Sequence, residues 1–217
     1  MIKNAIFVIL FILLYGGLFL FLSKNDTPHT DRNGYGEFTG STYDCERFSM
    51  KMEYDESWLI YDGKSVEESL YTTLSREEIE NTYGAAIDNI RFIGGAATPD
   101  FTLVCIAAAN TNRSEGEFDA ESRKKALEYM KTAITDQGGT VSDILCYTVP
   151  APGQGKSMLV YGYDYEISGE RFSNFFAYTN SGSDTILFSG TYTNENGLKS
   201  LTDFVENKVY FYTGEQS

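Results

Sequence analysis

Histidine is nearly absent. The single copy, His29, sits in a polar stretch rich in Asn, Asp and Thr, away from any candidate nucleophile. A Ser-His or Cys-His couple needs an imidazole held within hydrogen-bond reach of its partner, so that class of catalysis has no support here. Positive charge is scarce as well: 17 Lys and Arg stand against 31 Asp and Glu, a formal net charge of −14. Such a field repels phosphate backbones, which argues against nucleic acid as a partner. A solvated surface kept apart by like charge explains the acidity without a cation site. The three cysteines, Cys45, Cys105 and Cys146, lack C-x-x-C spacing, so no zinc ribbon or redox dithiol is written. Cys105 lies in the apolar run Leu103–Ile106 and reads as a small core residue. A Cys105–Cys146 pair would require neighbouring strands, which the sequence leaves open.

Other familiar patterns are missing. Gly155-Lys156-Ser157 has Pro150 where a P-loop needs its first glycine, and alternation from Met158 to Ile167 makes the segment a hairpin loop before a strand. The acidic cluster Ser114–Asp119 lacks the alternating oxygen ligands of a calcium loop. It reads as a charged lead-in to a helix N-terminus, where negative charge is favourable. Ser-Lys or paired-carboxylate chemistry needs no histidine, yet Asp164 and Glu166, on one strand face, read as solvated. No residue is assigned to catalysis, a cofactor or a metal.

One segment lacks charge altogether. Ala5 to Leu22 is uninterrupted apolar sequence broken only by Tyr15 and Gly16-Gly17. At about 1.5 Å per residue it spans about 27 Å, close to a bilayer's hydrocarbon thickness. The run exceeds the core of a cleaved signal, and Leu22-Ser23-Lys24 offers no A-x-A site, so the expectation is an uncleaved signal anchor. Lys3 on one side and Lys24 and Arg32 on the other leave the charge bias balanced. The short tail before the span favours a cytoplasmic N-terminus and an extracytoplasmic domain. The lipid bilayer is thus the first partner expected.

From Lys24 to about Thr42 the chain is polar and without periodicity, as in a flexible stalk. Residues 43–217 follow as one acidic domain. Phe48 to Tyr54 alternates with period two, a half-buried strand. A short helix is expected within Val66–Tyr83, where Ser75-Arg76-Glu77-Glu78 fits a capping box. Asn89–Ile93 and Phe101–Ala109 read as strands around a turn at Gly94–Pro99. Ala120–Asp136 is the clearest helix, stopped by Gly138-Gly139. Then come strands at about Thr140–Val149, Ser157–Ile167, Arg171–Tyr178 and Asp184–Tyr192, whose short connections force an antiparallel meander. A helix over Glu195–Val209 closes the order. The fold class is α+β, a mostly antiparallel sheet with packed helices after one N-terminal transmembrane helix.

The strand Ser157–Ile167 puts Leu159, Tyr161, Tyr163, Tyr165 and Ile167 on one face. Exposed, Tyr161, Tyr163 and Tyr165 would form a partner surface. Under helices they would be core, which is the favoured reading.

The opening strand ending in Tyr54-Asp55-Glu56-Ser57-Trp58 is similar to the tyrosine-proline-x-glycine-tryptophan turn of the Mog/PsbP-like fold, with Asp55 and Ser57 in place of the proline and glycine. The meander and the terminal helix Leu198–Val209 add to the resemblance, which spans roughly Arg47–Phe211. It implies a sandwich of the PsbP-like kind with accessory or binding behaviour, and it assigns no site residues. The expected function is a single-pass membrane protein with a non-catalytic domain that binds an envelope protein. The alternative is a tethered hydrolase using carboxylate or Ser-Lys chemistry.

Overall fold

The computed structural model describes residues 35–73, 90–99, 102–110, 128, 131–132, 135–136, 138–150, 157–167, 170–182 and 184–212. Ala5–Leu22, the capping box at Ser75–Glu78 and most of the helix expected over Ala120–Asp136 lie outside them. Within that last span Glu128, Lys131, Thr132, Thr135 and Asp136 are helical. Gly138 stops the turn as expected, with φ of 76° and its amide donating to the Thr135 carbonyl at 2.9 Å.

Two antiparallel sheets face each other. The smaller runs β1 (Glu37–Thr39), β2 (Thr42–Cys45), β3 (Met50–Glu53) and β11 (Val209–Phe211), in that spatial order. The larger has the order β4 (Leu59–Asp62), β5 (Ile90–Ala97), β6 (Leu103–Asn110), β10 (Asp184–Thr191), β9 (Glu170–Ser181), β8 (Ser157–Ile167) and β7 (Thr140–Pro150). The expected meander is its β7-β8-β9-β10 half. Helix α1 (Gly63–Thr73) packs on β5 and β4, and α2 (Glu195–Asp203) precedes a π-helical turn, Phe204–Lys208, that leads into β11.

The core between the sheets follows from period two. Met50 and Met52 are buried and alternate with the half-exposed Lys51 and Glu53. Val104, Ile106 and Ala108 of β6 and Ile186 and Phe188 of β10 meet them from the larger sheet. The aromatic pair of the Tyr54–Trp58 turn packs on Phe204, at ring-centroid distances of 5.0 and 5.5 Å. Across the layers, Arg47 donates from Nε and Nη2 to Asp184 Oδ2 at 3.1 and 2.9 Å, and Ser181 Oγ donates to the Phe48 carbonyl at 3.1 Å.

Three expectations change. The stalk was drawn to Thr42, but Tyr35 already docks on the domain: its carbonyl accepts from the Tyr43 hydroxyl and its ring covers the Arg47 guanidinium at 4.8 Å. Strand β1 follows within the same stretch. The turn read at Gly94–Pro99 is the second half of β5, and the real turn is Thr98–Thr102, closed by the Thr98 amide on the Thr102 carbonyl at 2.9 Å. Glycine serves packing there, since a Cβ on Gly94 would come within 2.6 Å of the Phe38 ring. The terminal helix ends early and Val209–Phe211 becomes a strand, because pairing with Met50–Met52 satisfies its backbone and buries Val209 and Phe211.

Candidate functional site

Tyr161, Tyr163 and Tyr165 do not form a surface. Each is at most 1% exposed. The Tyr161 and Tyr178 hydroxyls share a hydrogen bond of 3.2 Å, and Asn174 Nδ2 donates to the Tyr163 hydroxyl at 3.3 Å. Phe176 lies against the rings of both Tyr161 and Tyr163, at 5.9 and 5.5 Å. Burial raises the pKa of all three phenols, that of Tyr165 to about 12. The central strands are covered on both faces, as β10 shows by burying every residue. The row is therefore core, and the partner-surface reading is corrected.

The exposed large hydrophobics among the described residues lie elsewhere, on the two edge strands of the larger sheet. They are Leu59 (66%) and Tyr61 (44%) on β4, and Leu145 (51%) and Tyr147 (36%) on β7. Strand β4 is short and runs directly into α1, with Asp62 Oδ1 accepting from the Ser65 amide at 2.7 Å in the helix's first turn. Strand β7 runs from Thr140 to Pro150 and, among the described residues, pairs only with β8.

The face of β7 toward the small sheet carries Leu145, Tyr147 and Val149, opposite Gly162, Val160 and Met158 of β8. Val149 joins the core, while Tyr147 and Leu145 emerge progressively from it. Tyr147 lies near Thr202 and Glu206 of the segment that leads into β11. Partial burial raises its pKa, Thr202 opposes the rise, and Glu206 adds to it. Leu145 lies over Gly162, where an added Cβ would meet its Cδ1 at 3.8 Å. On the other face Cys146 and Thr148 are also exposed. At the far end of the strand a bulge falls between Val141 and Asp143, where Ser142 Oγ donates to the Asp164 carbonyl at 3.2 Å. Asp164 is ion-paired with Arg171 across to β9, so it is neither solvated alone nor coupled to Glu166.

Such an edge offers alternate backbone amides and carbonyls to an added strand, with Leu145 and Tyr147 supplying apolar contact. Nothing in it resembles an assembled nucleophile and base, and among the described residues no group of three or more His, Cys, Asp and Glu side chains is placed to hold a metal. None of the three cysteines is in a disulfide. Cys105 on β6 and Cys146 on β7 are separated by β10, β9 and β8, so the pairing left open by the sequence does not form. Burial pushes the Cys105 thiol up to about 12, whereas Cys146 is exposed.

Sequence reading missed this site because β7 reads as one more strand of a meander. Its position at the sheet's edge is a tertiary fact. The signal available was the charge-free run Ile144–Pro150 in a strongly acidic chain.

No protein-family model matches the chain, and no curated protein matches its sequence. Solved structures similar to it include cyanobacterial PsbP (CyanoP) from Synechocystis sp. PCC 6803, at 10% identity and a TM-score of 0.47, covering 86% of this chain and 100% of that one. LpqN of Mycobacterium tuberculosis, described as involved in cell envelope biogenesis, is similar at 11% identity and a TM-score of 0.38, covering 84% of this chain and 86% of its own. At this level of similarity neither neighbour says what this chain binds.

Proposed function

We propose that the chain is a single-pass membrane protein whose extracytoplasmic domain acts without catalysis, by docking an extended segment of another envelope protein onto the free edge of β7. The observation that carries this is the edge itself: Leu145 and Tyr147 are exposed on a long strand that ends the larger sheet's order among the described residues. Main-chain hydrogen bonds would supply affinity, and the Leu145 side chain and the Tyr147 ring would select side chains. The apolar run Ala5–Leu22 supports the tether.

A photo-crosslinking residue placed at Tyr147 in the full chain, expressed in cells, tests the docking. Adducts to other polypeptides are expected at position 147 and not at position 61. Equal labelling at the two positions, or none at 147, contradicts it. For the tether, external protease on intact cells should digest the domain while a tag placed before Met1 stays protected. The reverse pattern overturns the topology.

A further inference from the structure

Strand β1 joins the smaller sheet to the segment read above as the tether. Of its three residues Glu37 and Thr39 are exposed, and Phe38 turns inward. It pairs with β2 at Glu37–Asp44, Phe38–Tyr43 and Thr39–Thr42. A glycine with positive φ flanks it on each side, Gly36 at 77° and Gly40 at 61°. A Cβ on Gly36 would come within 2.3 Å of the Asp44 carbonyl, so this glycine lets the chain lie close against β2. A Cβ on Gly40 would meet nothing within 4 Å among the described residues, which leaves room for the chain to pivot there. Immediately beyond, the Ser41 carbonyl accepts from the Tyr54 amide at 2.8 Å and Thr42 pairs with Glu53, which pins the chain to β3.

Two aromatic side chains hold this strap down. The Phe38 ring lies against those of Tyr43 and Tyr54, at centroid distances of 5.0 and 6.0 Å, in the space that Gly94 leaves. The Tyr35 ring meets Phe48 edge-on at 5.7 Å and covers the Arg47 guanidinium. The seats are secured by contacts of their own, Tyr54 by Trp58 and Phe204 and Arg47 by Asp184. Lifting the strap therefore gives up its own ladder and ring contacts and leaves those between the sheets in place. A three-residue ladder with two exposed positions opens at lower cost than the sheet beneath it.

We infer that residues 35–40 are a latch between tether and domain. Docked, they hold the domain close to the membrane. Lifted, they pivot at Gly40 and lengthen the tether by about 20–22 Å at full extension, while the rest of the domain stays folded. The inference rests on the tether reading above and adds a regulation to it: the latch sets how far from the membrane β7 can meet its partner.

Hydrogen exchange of the full chain in detergent micelles reads the latch. Amides of β1 should exchange about a hundredfold or more faster than those of β3. Phe38→Ala should speed β1 by about tenfold or more and change β3 by less than about twofold. Glu37 and Asp44 are opposed in an antiparallel pair, so the double variant Glu37→Cys/Asp44→Cys locks the strap when oxidised and frees it when reduced. Reach is read in vesicles carrying a dansyl-labelled lipid, with Trp58, the one tryptophan of the chain, as energy donor. Transfer should be about twofold or more higher in the oxidised variant than in the reduced one. Exchange in β1 no faster than in β3, or Phe38→Ala accelerating both alike, overturns the latch. Equal transfer in the two redox states overturns its control of reach. Should the chain fail to insert into the vesicles while β1 still exchanges fast, the tether reading and the reach fall and the moving strap stands.

Discussion

The two edges of the larger sheet expose the same chemistry in different settings. On β4, Leu59 and Tyr61 sit on a short strand that turns at once into α1, so an added strand would find little edge to pair with. On β7, Leu145 and Tyr147 occupy the centre of a strand of Thr140–Pro150, with the bulge and the proline placed only at its ends. Exposed hydrophobics alone do not mark an interface. What distinguishes the edges is the length of the strand behind them, because strand addition draws its affinity from main-chain hydrogen bonds.

Thiol chemistry separates edge from interior by the largest factor. With dilute maleimide near pH 8, Cys146 should label faster than Cys105 by a hundredfold or more, on the order of the thiolate loss expected when burial raises a thiol's pKa to about 12. Single-cysteine variants followed by mass spectrometry provide the measurement. Comparable rates would mean that β6 opens as readily as the edge is exposed.

Stability should divide along the same line. Phe204→Ala removes the ring against which Tyr54 and Trp58 pack, and should cost about 3–5 kcal/mol in urea unfolding. Leu145→Ala and Leu59→Ala, both at exposed positions, should cost less than about 1 kcal/mol. A large loss at Leu145 would mean that β7 is held as core, and its role as a free edge would fall.

A smaller effect is expected from pH. Burial raises the Tyr161, Tyr163 and Tyr165 phenols above the unfolded value, so their stabilisation is fully present below about pH 10. For Tyr165 it is lost as pH climbs from there through its folded value of about 12. The urea midpoint should hold between pH 7 and 9 and fall above 10, while Tyr147→Phe at the edge leaves that alkaline limb nearly unchanged. A flat profile to pH 12 would place the tyrosine row in water.

Much of the architecture was legible because period-two alternation and short loops depend on local chemistry: β3 and the meander β7-β8-β9-β10 follow from it, and the helix expected from Glu195 starts there. The small sheet was not. Strands β1 and β11 are three residues each: β1 exists through its Phe38–Tyr43 pairing with β2, and β11 through the Met52–Val209 pairing with β3, a contact remote in sequence. Gly94-Gly95 resembled a turn because glycine's use against the Phe38 ring cannot be seen without the layer above it. The site was the least legible part. Tyr161, Tyr163 and Tyr165 drew attention by spacing, yet which strand ends a sheet depends on topology, and only that exposes Leu145 and Tyr147.

The central claim, that β7 and not β4 is the interaction edge, is tested most directly by paired lysine variants of the full chain in membranes. Capture by a photo-crosslinker at Cys146 would be compared between Leu145→Lys/Tyr147→Lys and Leu59→Lys/Tyr61→Lys. Adducts to another envelope protein should fall by about tenfold or more in the first pair and by less than about twofold in the second. Equal losses in both pairs, or a loss confined to the β4 variants, would contradict the account.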